Sequence, residues 1–204
     1  MTKTLPFDED VDLIFLIDRS GSMYGSEDDT IGGFNSFLEK ERAKEFNTKV
    51  TTVLFDHQYE ILYKRKPITE VKNLTREEYY VRGSTALLDA IGRTITTLDK
   101  EIKNKVLFVI MTDGMENSSV EFSKSQISSM ISNHNWEFIF IGADIDSYSE
   151  ARKIGISKSH TANYRKSEKG ITGLFDAVEV ATDSLRANYC LEDVDWKKDL
   201  KDYD

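Results

Sequence analysis

The chain has 204 residues, 39% of them apolar and 11% aromatic, and a formal net charge of −9. That length holds one domain, with or without a tail, and buries a real core. It contains no basic block. Phosphate binding needs clustered Lys and Arg, so neither a nucleic acid nor an anionic membrane is an expected partner. An acidic chain suits cation binding. Cys190 is the only cysteine, which rules out an intrachain disulfide and points to a reducing compartment. The stretch from Met1 to Asp10 lacks a signal-peptide core, and no apolar run approaches the roughly 20 residues of a membrane span. A soluble, cytoplasmic protein is the expectation.

The first predicted element is a strand over residues 11–17, Val-Asp-Leu-Ile-Phe-Leu-Ile. Its near-continuous apolar character fits a central strand covered on both faces, as in parallel sheets. A Ser-rich loop follows, then a helix from about Thr30 to Phe46. Ile31, Phe34, Leu38 and Phe46 give that helix an apolar side, which Glu41 and Arg42 interrupt. Residues 50–55 read as a β-branched strand, Asp56-His57-Gln58 as a turn, and residues 59–63 as the return strand of a hairpin. The sheet therefore has one antiparallel edge strand.

Thr75-Arg76-Glu77-Glu78 matches a capping box and predicts a short helix. After the loop Arg82-Gly83-Ser84-Thr85, the residues Leu87, Ile91, Ile95, Leu98 and Ile102 recur at helical spacing. A buried strand over 106–111 ends in Thr112-Asp113-Gly114. Ser118 and Glu121 form a second capping box ahead of a helix carrying Phe122, Ile127 and Ile131. Residues 136–141 form the next strand, stopped by Gly142-Ala143-Asp144, and Asp146 or Ser147 caps a short helix to about Lys153. His160 to Tyr164 is an extended piece. The final helix carries Ile171, Leu174, Phe175, Val178, Leu185 and Tyr189. Strands alternating with helices predict an α/β fold: a doubly wound, Rossmann-like, mostly parallel sheet with helices on both faces. The domain is expected over 9–190, with a loosely packed acidic tail over 191–204.

Parallel strands bring their carboxyl ends to one edge, where ligands bind in such sheets. Three loops meet there: Asp18-Arg19-Ser20-Gly21-Ser22 after the first strand, Gly83-Ser84-Thr85 before the amphipathic helix, and Asp113 after the strand at 106–111. They offer two carboxylates and three hydroxyls. Hard oxygen donors without thiol or imidazole favour Mg²⁺, Mn²⁺ or Ca²⁺ over zinc. Two carboxylates neutralise a divalent ion and leave a coordination position for water or an outside oxygen, such as an acidic side chain of a protein partner. The bland alternatives are turn chemistry for Asp18, Ser20 and Ser22, helix capping for Thr85 (with Ser84 competing), and an ordinary turn at Asp113-Gly114.

With these residues the chain resembles the von Willebrand factor type A domain family. The metal-ion-dependent adhesion site of that family combines Asp-x-Ser-x-Ser with a distant Thr and a distant Asp, here Asp18, Ser20, Ser22, Thr85 and Asp113. The resemblance extends to Gly83-Ser84-Thr85-Ala86-Leu87, Thr112-Asp113-Gly114 and Ile141-Gly142-Ala143, and spans about residues 9 to 188. It implies that the serines and the Thr bind the ion directly, the Asp residues directly or through water, and that a partner's acidic group completes the coordination. It further implies an interaction module of a bacterial or phage-infected cell, or an accessory subunit of a metal-dependent enzyme or of a chelatase-like, stress-response complex.

Asp-x-Ser-x-Ser alone is a weak signal, and its place after a buried first strand is what strengthens it. Asp89 is read as hydrogen-bonding the loops, Asp144 and Asp146 as caps, and Glu116 as an internal ligand that a partner would displace. Arg19 either points outward toward an acidic partner or is merely solvated. Cys190 reads as a small core residue. The chain is not expected to be an enzyme. An aspartate-nucleophile phosphotransferase needs a second Asp where Ser20 stands. A serine nucleophile needs a base, and His57, His134 and His160 share no spacing.

Overall fold

The computed structural model describes residues 10–203. The stretch read as lacking a signal-peptide core lies, but for Asp10, outside the described residues, and so does Asp204 of the tail. Six strands form one sheet in the order β3-β2-β1-β4-β5-β6. They are β1 (Val11–Asp18), β2 (Thr48–Phe55), β3 (Tyr59–Pro67), β4 (Lys105–Thr112), β5 (Glu137–Gly142) and β6 (Thr161–Asn163). All pairings are parallel except that of β3 with β2. Among the described residues five α-helices complete the fold: α1 (Glu27–Ala43), α2 (Leu87–Leu98), α3 (Lys124–Ser132), α4 (Ser147–Lys153) and α5 (Glu168–Arg186). None is long and apolar enough to cross a membrane.

Every residue of β1 is buried. Alternation splits it between two cores: Leu13, Phe15 and Ile17 face α1 and α5, while Ile14 and Leu16 face α2, α3 and α4. On the first face Phe15 meets Phe34 and Phe37 edge-to-face at 5.1 and 5.2 Å. Helix α1 approaches α5 at Gly33, where a Cβ would stand 2.6 Å from the Phe175 ring. Glu41, which broke the predicted apolar stripe, faces inward and is fully buried. Arg186 of α5 pairs with it at 2.6 Å and also donates to Thr48 Oγ1 at 2.8 Å. A buried charge is tolerated only when so paired.

Five expectations need correction. Thr75 and Glu78 do hydrogen-bond each other, but residues 76–78 make only a turn, because Tyr79 leaves it to bury its ring. Helix α3 is capped by Ser123 with Gln126, not by Ser118 with Glu121. The N–H groups of Val120, Glu121 and Phe122 go instead to the Asp89 carboxylate. The tail is not loose: Leu191, Trp196 and Leu200 are each 1% exposed and join the core beside α5. Cys190 is exposed, as is Tyr189, which lies beyond the end of α5.

The two edges of the sheet differ from its centre. Strand β3 carries Lys64, Arg65, Lys66 and Pro67, and its register against β2 shifts twice. Arg65 sits at a φ of 46° and pairs with Asp12 at 2.8 Å. At the opposite edge β6 has three residues, and the tail lies over its approach: Trp196 Nε1 donates to Ser159 O at 2.9 Å, and Lys197 donates to Thr161 O.

Candidate metal centre

The chain leaves β1 for β2 on one side of the sheet and later returns to β4 on the other. The gap between the carboxyl ends of β1 and β4 is thus the topological switch point, where open α/β sheets bind ligands. Pairing of Ile17 with Met111 sets Asp18 beside Thr112, whose hydroxyl donates to Asp18 Oδ2 at 2.6 Å. Ser20 N donates to Asp18 Oδ1 at 2.6 Å. The Asp18 carboxylate is therefore fixed at both oxygens, and its residue is fully buried.

Backbone hydrogen bonds stitch the second loop to the first. Tyr79 Oη donates to Asp18 O at 2.7 Å, Arg82 N to Arg19 O at 2.9 Å, and Gly21 N to Gly83 O at 3.0 Å. Gly83 holds a φ of +67°, which an L side chain rarely adopts. Thr85 O then accepts from Asn117 N and Ser118 N, which draws in the loop after β4. The result is a shared cradle. Ser20 Oγ and Ser22 Oγ are 3.1 Å apart, and Ser22 Oγ donates to Asp113 Oδ1 at 2.5 Å. A Cβ built on Gly114 would stand 2.6 Å from Thr85 Oγ1, 3.1 Å from Ser22 Oγ and 3.4 Å from Ser20 Oγ. All five predicted site residues are thus brought to one place.

The donor set is two carboxylates and three hydroxyls. Among the described residues no three His, Cys, Asp or Glu side chains group as a metal centre of their own. This chemistry fits a hard divalent cation. Burial pushes the Asp18 carboxyl up to about 6, against the hydrogen bonds from Thr112 and Ser20 that pull it down; the charge of Asp113 adds to the rise.

A raised folded-state pKa means that the native chain holds the proton more tightly than the unfolded chain. Stability from this group is therefore full below about pH 4 and falls as pH rises through about 6. In chelator at pH 7, Asp18→Asn is expected to be more stable than wild type by roughly 3 kcal/mol, the cost of a shift of about two units. The difference shrinks toward pH 4. Denaturant melts of both proteins at pH 4 and 7 measure it, and a pH-independent difference would contradict the assignment.

Other residues sit differently from their sequence reading. Arg19 is fully buried, not outward. It pairs with Asp56 at 3.0 Å and Glu60 at 2.8 Å, and Arg82 also reaches Asp56, at 2.8 Å. The guanidinium groups of Arg19 and Arg82 lie 5.3 and 5.2 Å from the Tyr80 ring centre. Asp56, read only as a turn residue, is the buried hub that ties the hairpin under the site. The Glu116 oxygens are engaged by backbone, accepting from Leu88 N, Ser118 N and Ser119 N. Asp89 does hydrogen-bond the loops, and Asp146 caps α4. Asp144 does not cap; it sits at a φ of 54° and pairs with Lys166 at 2.9 Å. Lys166 also lies 3.1 Å from Asp113 Oδ2. Burial opposes its charge, and the hydrogen bonds to Asp144 and Asp113 outweigh burial, so its pKa is raised. No sequence signal marked this lysine, which stands far from the motif.

Residues 12–177 match the sequence pattern of the von Willebrand factor type A domain. The chain belongs to that family. Several solved structures share its fold. A mutant of the PilB minor pilin from Streptococcus sanguinis superposes with a TM-score of 0.70 at 12% identity, over 92% of this chain and 65% of the pilin. The von Willebrand domain of the type V pili tip protein Mfa5 from Porphyromonas gingivalis gives 0.63 at 10% identity, over 85% and 96%. Proximal thread matrix protein 1 from the mussel byssus, in a structure whose adhesion-site motif holds zinc, gives 0.62 at 17% identity, over 88% and 46%. This type A chain thus spans about half the length of the mussel protein. No curated protein matches it in sequence.

Proposed function

We propose that this type A domain is a divalent-cation-dependent protein-interaction module, not an enzyme, acting in the cytoplasm of a bacterial or phage-infected cell. Its partner supplies an acidic side chain. The observation that carries this reading is the convergence of the Ser20, Ser22 and Thr85 hydroxyls on Gly114, with Asp18 and Asp113 beside them. These five residues would hold Mg²⁺, Mn²⁺ or Ca²⁺. A bound divalent ion supplies an electrophilic centre, and two carboxylates cancel its charge without saturating its need for oxygen.

The chain's own residues do the rest. Thr112 and Ser20 N orient Asp18, and Ser22 orients Asp113. Arg19, Asp56 and Arg82 hold the loop beneath. Tyr24 and Met115 are 80% and 60% exposed, each two residues from a proposed ligand.

Pull-down from the native cell in Mg²⁺, against chelator and against Asp113→Ala, tests the reading. Capture that depends on both is expected. A partner retained equally in chelator and by Asp113→Ala would sink it.

A further inference from the structure

We propose that Lys166 is an internal counter-cation of the site, sharing the Asp113 carboxylate with the metal and so setting how tightly a divalent ion is held. This inference rests on the functional reading above. Lys166 sits on the loop between β6 and α5, a fourth loop at the carboxyl edge of the sheet. Its ammonium donates to Ser22 O at 3.2 Å and forms ion pairs with Asp144 Oδ2 at 2.9 Å and Asp113 Oδ2 at 3.1 Å. The loop is built to keep it there. Tyr164 N donates to Gly142 O at 2.9 Å, and the Tyr164 ring is buried with its hydroxyl 3.8 Å from Met23 Sδ. Ser167 caps α5 by accepting from Gly170 N at 3.1 Å. At Gly170 a Cβ would stand only 2.1 Å from Arg165 O, so the glycine lets the loop close tightly. Tyr164 and Ser167, on the two sides of Lys166, are thus both anchored.

Charge makes the consequence definite. Asp18, Asp113 and Asp144 contribute −3, and Lys166 brings the cluster to −2. A divalent ion takes it to zero, where the same site without the lysine would reach −1. Lys166 therefore repels the incoming cation and competes for Asp113. Asp144, which is 63% exposed at its side chain, offers the displaced ammonium a second carboxylate.

Titration calorimetry of the full chain with Mg²⁺ tests this, using wild type, Lys166→Gln, Lys166→Arg and, as a control for overall charge, the exposed Lys169→Gln. Lys166→Gln is expected to bind Mg²⁺ roughly five- to tenfold more tightly, a partly screened like-charge repulsion removed. Lys166→Arg and Lys169→Gln should stay near wild type. Thermal melts add an independent reading: Lys166→Gln melts lower than wild type in chelator and gains more from Mg²⁺. Equal Mg²⁺ affinity in wild type and Lys166→Gln, or equal tightening by Lys169→Gln, overturns the role of Lys166 and leaves the proposed function standing. No Mg²⁺ binding by any of the four proteins overturns the proposed function and this inference together.

Discussion

Replacing Trp196 by alanine is expected to destabilise the fold by roughly 3–5 kcal/mol, the range for a large aromatic removed from a packed core. In a chain of this size that corresponds to a fall of about 10 °C in the thermal midpoint. The side chain is 1% exposed and belongs to the core cluster of α1 and α5, with Leu191 and Leu200 as neighbours from the same segment. Its Nε1 donates to Ser159 O at 2.9 Å, which pins the segment to the residues just before β6. Trp196→Phe keeps most of the apolar contact and loses that hydrogen bond, so it should cost about 1–2 kcal/mol. Urea denaturation of the three proteins provides the check. A loss below about 1 kcal/mol for Trp196→Ala would mean that residues 191–200 detach in solution.

Gly114→Ala is expected to leave the fold intact and to weaken Mg²⁺ binding by roughly ten- to a hundredfold. The new methyl would stand 2.6 Å from Thr85 Oγ1 and within 3.4 Å of both serine hydroxyls. Overpacking of that kind costs about 1–3 kcal/mol, and each 1.4 kcal/mol is a factor of about ten in affinity. The backbone at Gly114 is not left-handed, so alanine adopts it without strain. The effect therefore falls on the hydroxyl cradle. Calorimetry with Mg²⁺ and melts in chelator separate the two quantities. Unchanged affinity would show that the three hydroxyls do not converge on the ion.

The central strands β1, β4 and β5 are legible because burial on both faces leaves them mostly apolar. The five site residues were legible for a related reason: each stands within a few residues of a strand end or a helix start, and parallel strands align those ends. What stayed hidden was pairing across the fold. Arg19 looked outward as a charged residue in a serine loop, yet Asp56 and Glu60 on the hairpin draw it inside. Glu41 looked like a flaw in an apolar stripe, and its partner Arg186 is on the last helix, beyond the reach of local periodicity. The Ser118 and Glu121 box read from the sequence does not start α3. Ser123 with Gln126 does, because Glu121 pairs with Arg93 and Asp89 takes the intervening N–H groups. The tail was misjudged on composition, since three apolar residues among six acids are enough to seat it. Lys166 carried no sequence signal, because its role comes from the two carboxylates that other loops bring to it.

The edges of the sheet settle how another chain meets this one. An exposed strand edge invites strand addition, both by partner peptides and by further copies of the same protein. Here β3 is bent by two register shifts and lined with cations and a proline, while β6 is three residues long and crossed by the tail. Main-chain pairing at either side is thus blocked. The same blunted edges guard the sheet against fibre-like self-association at high concentration.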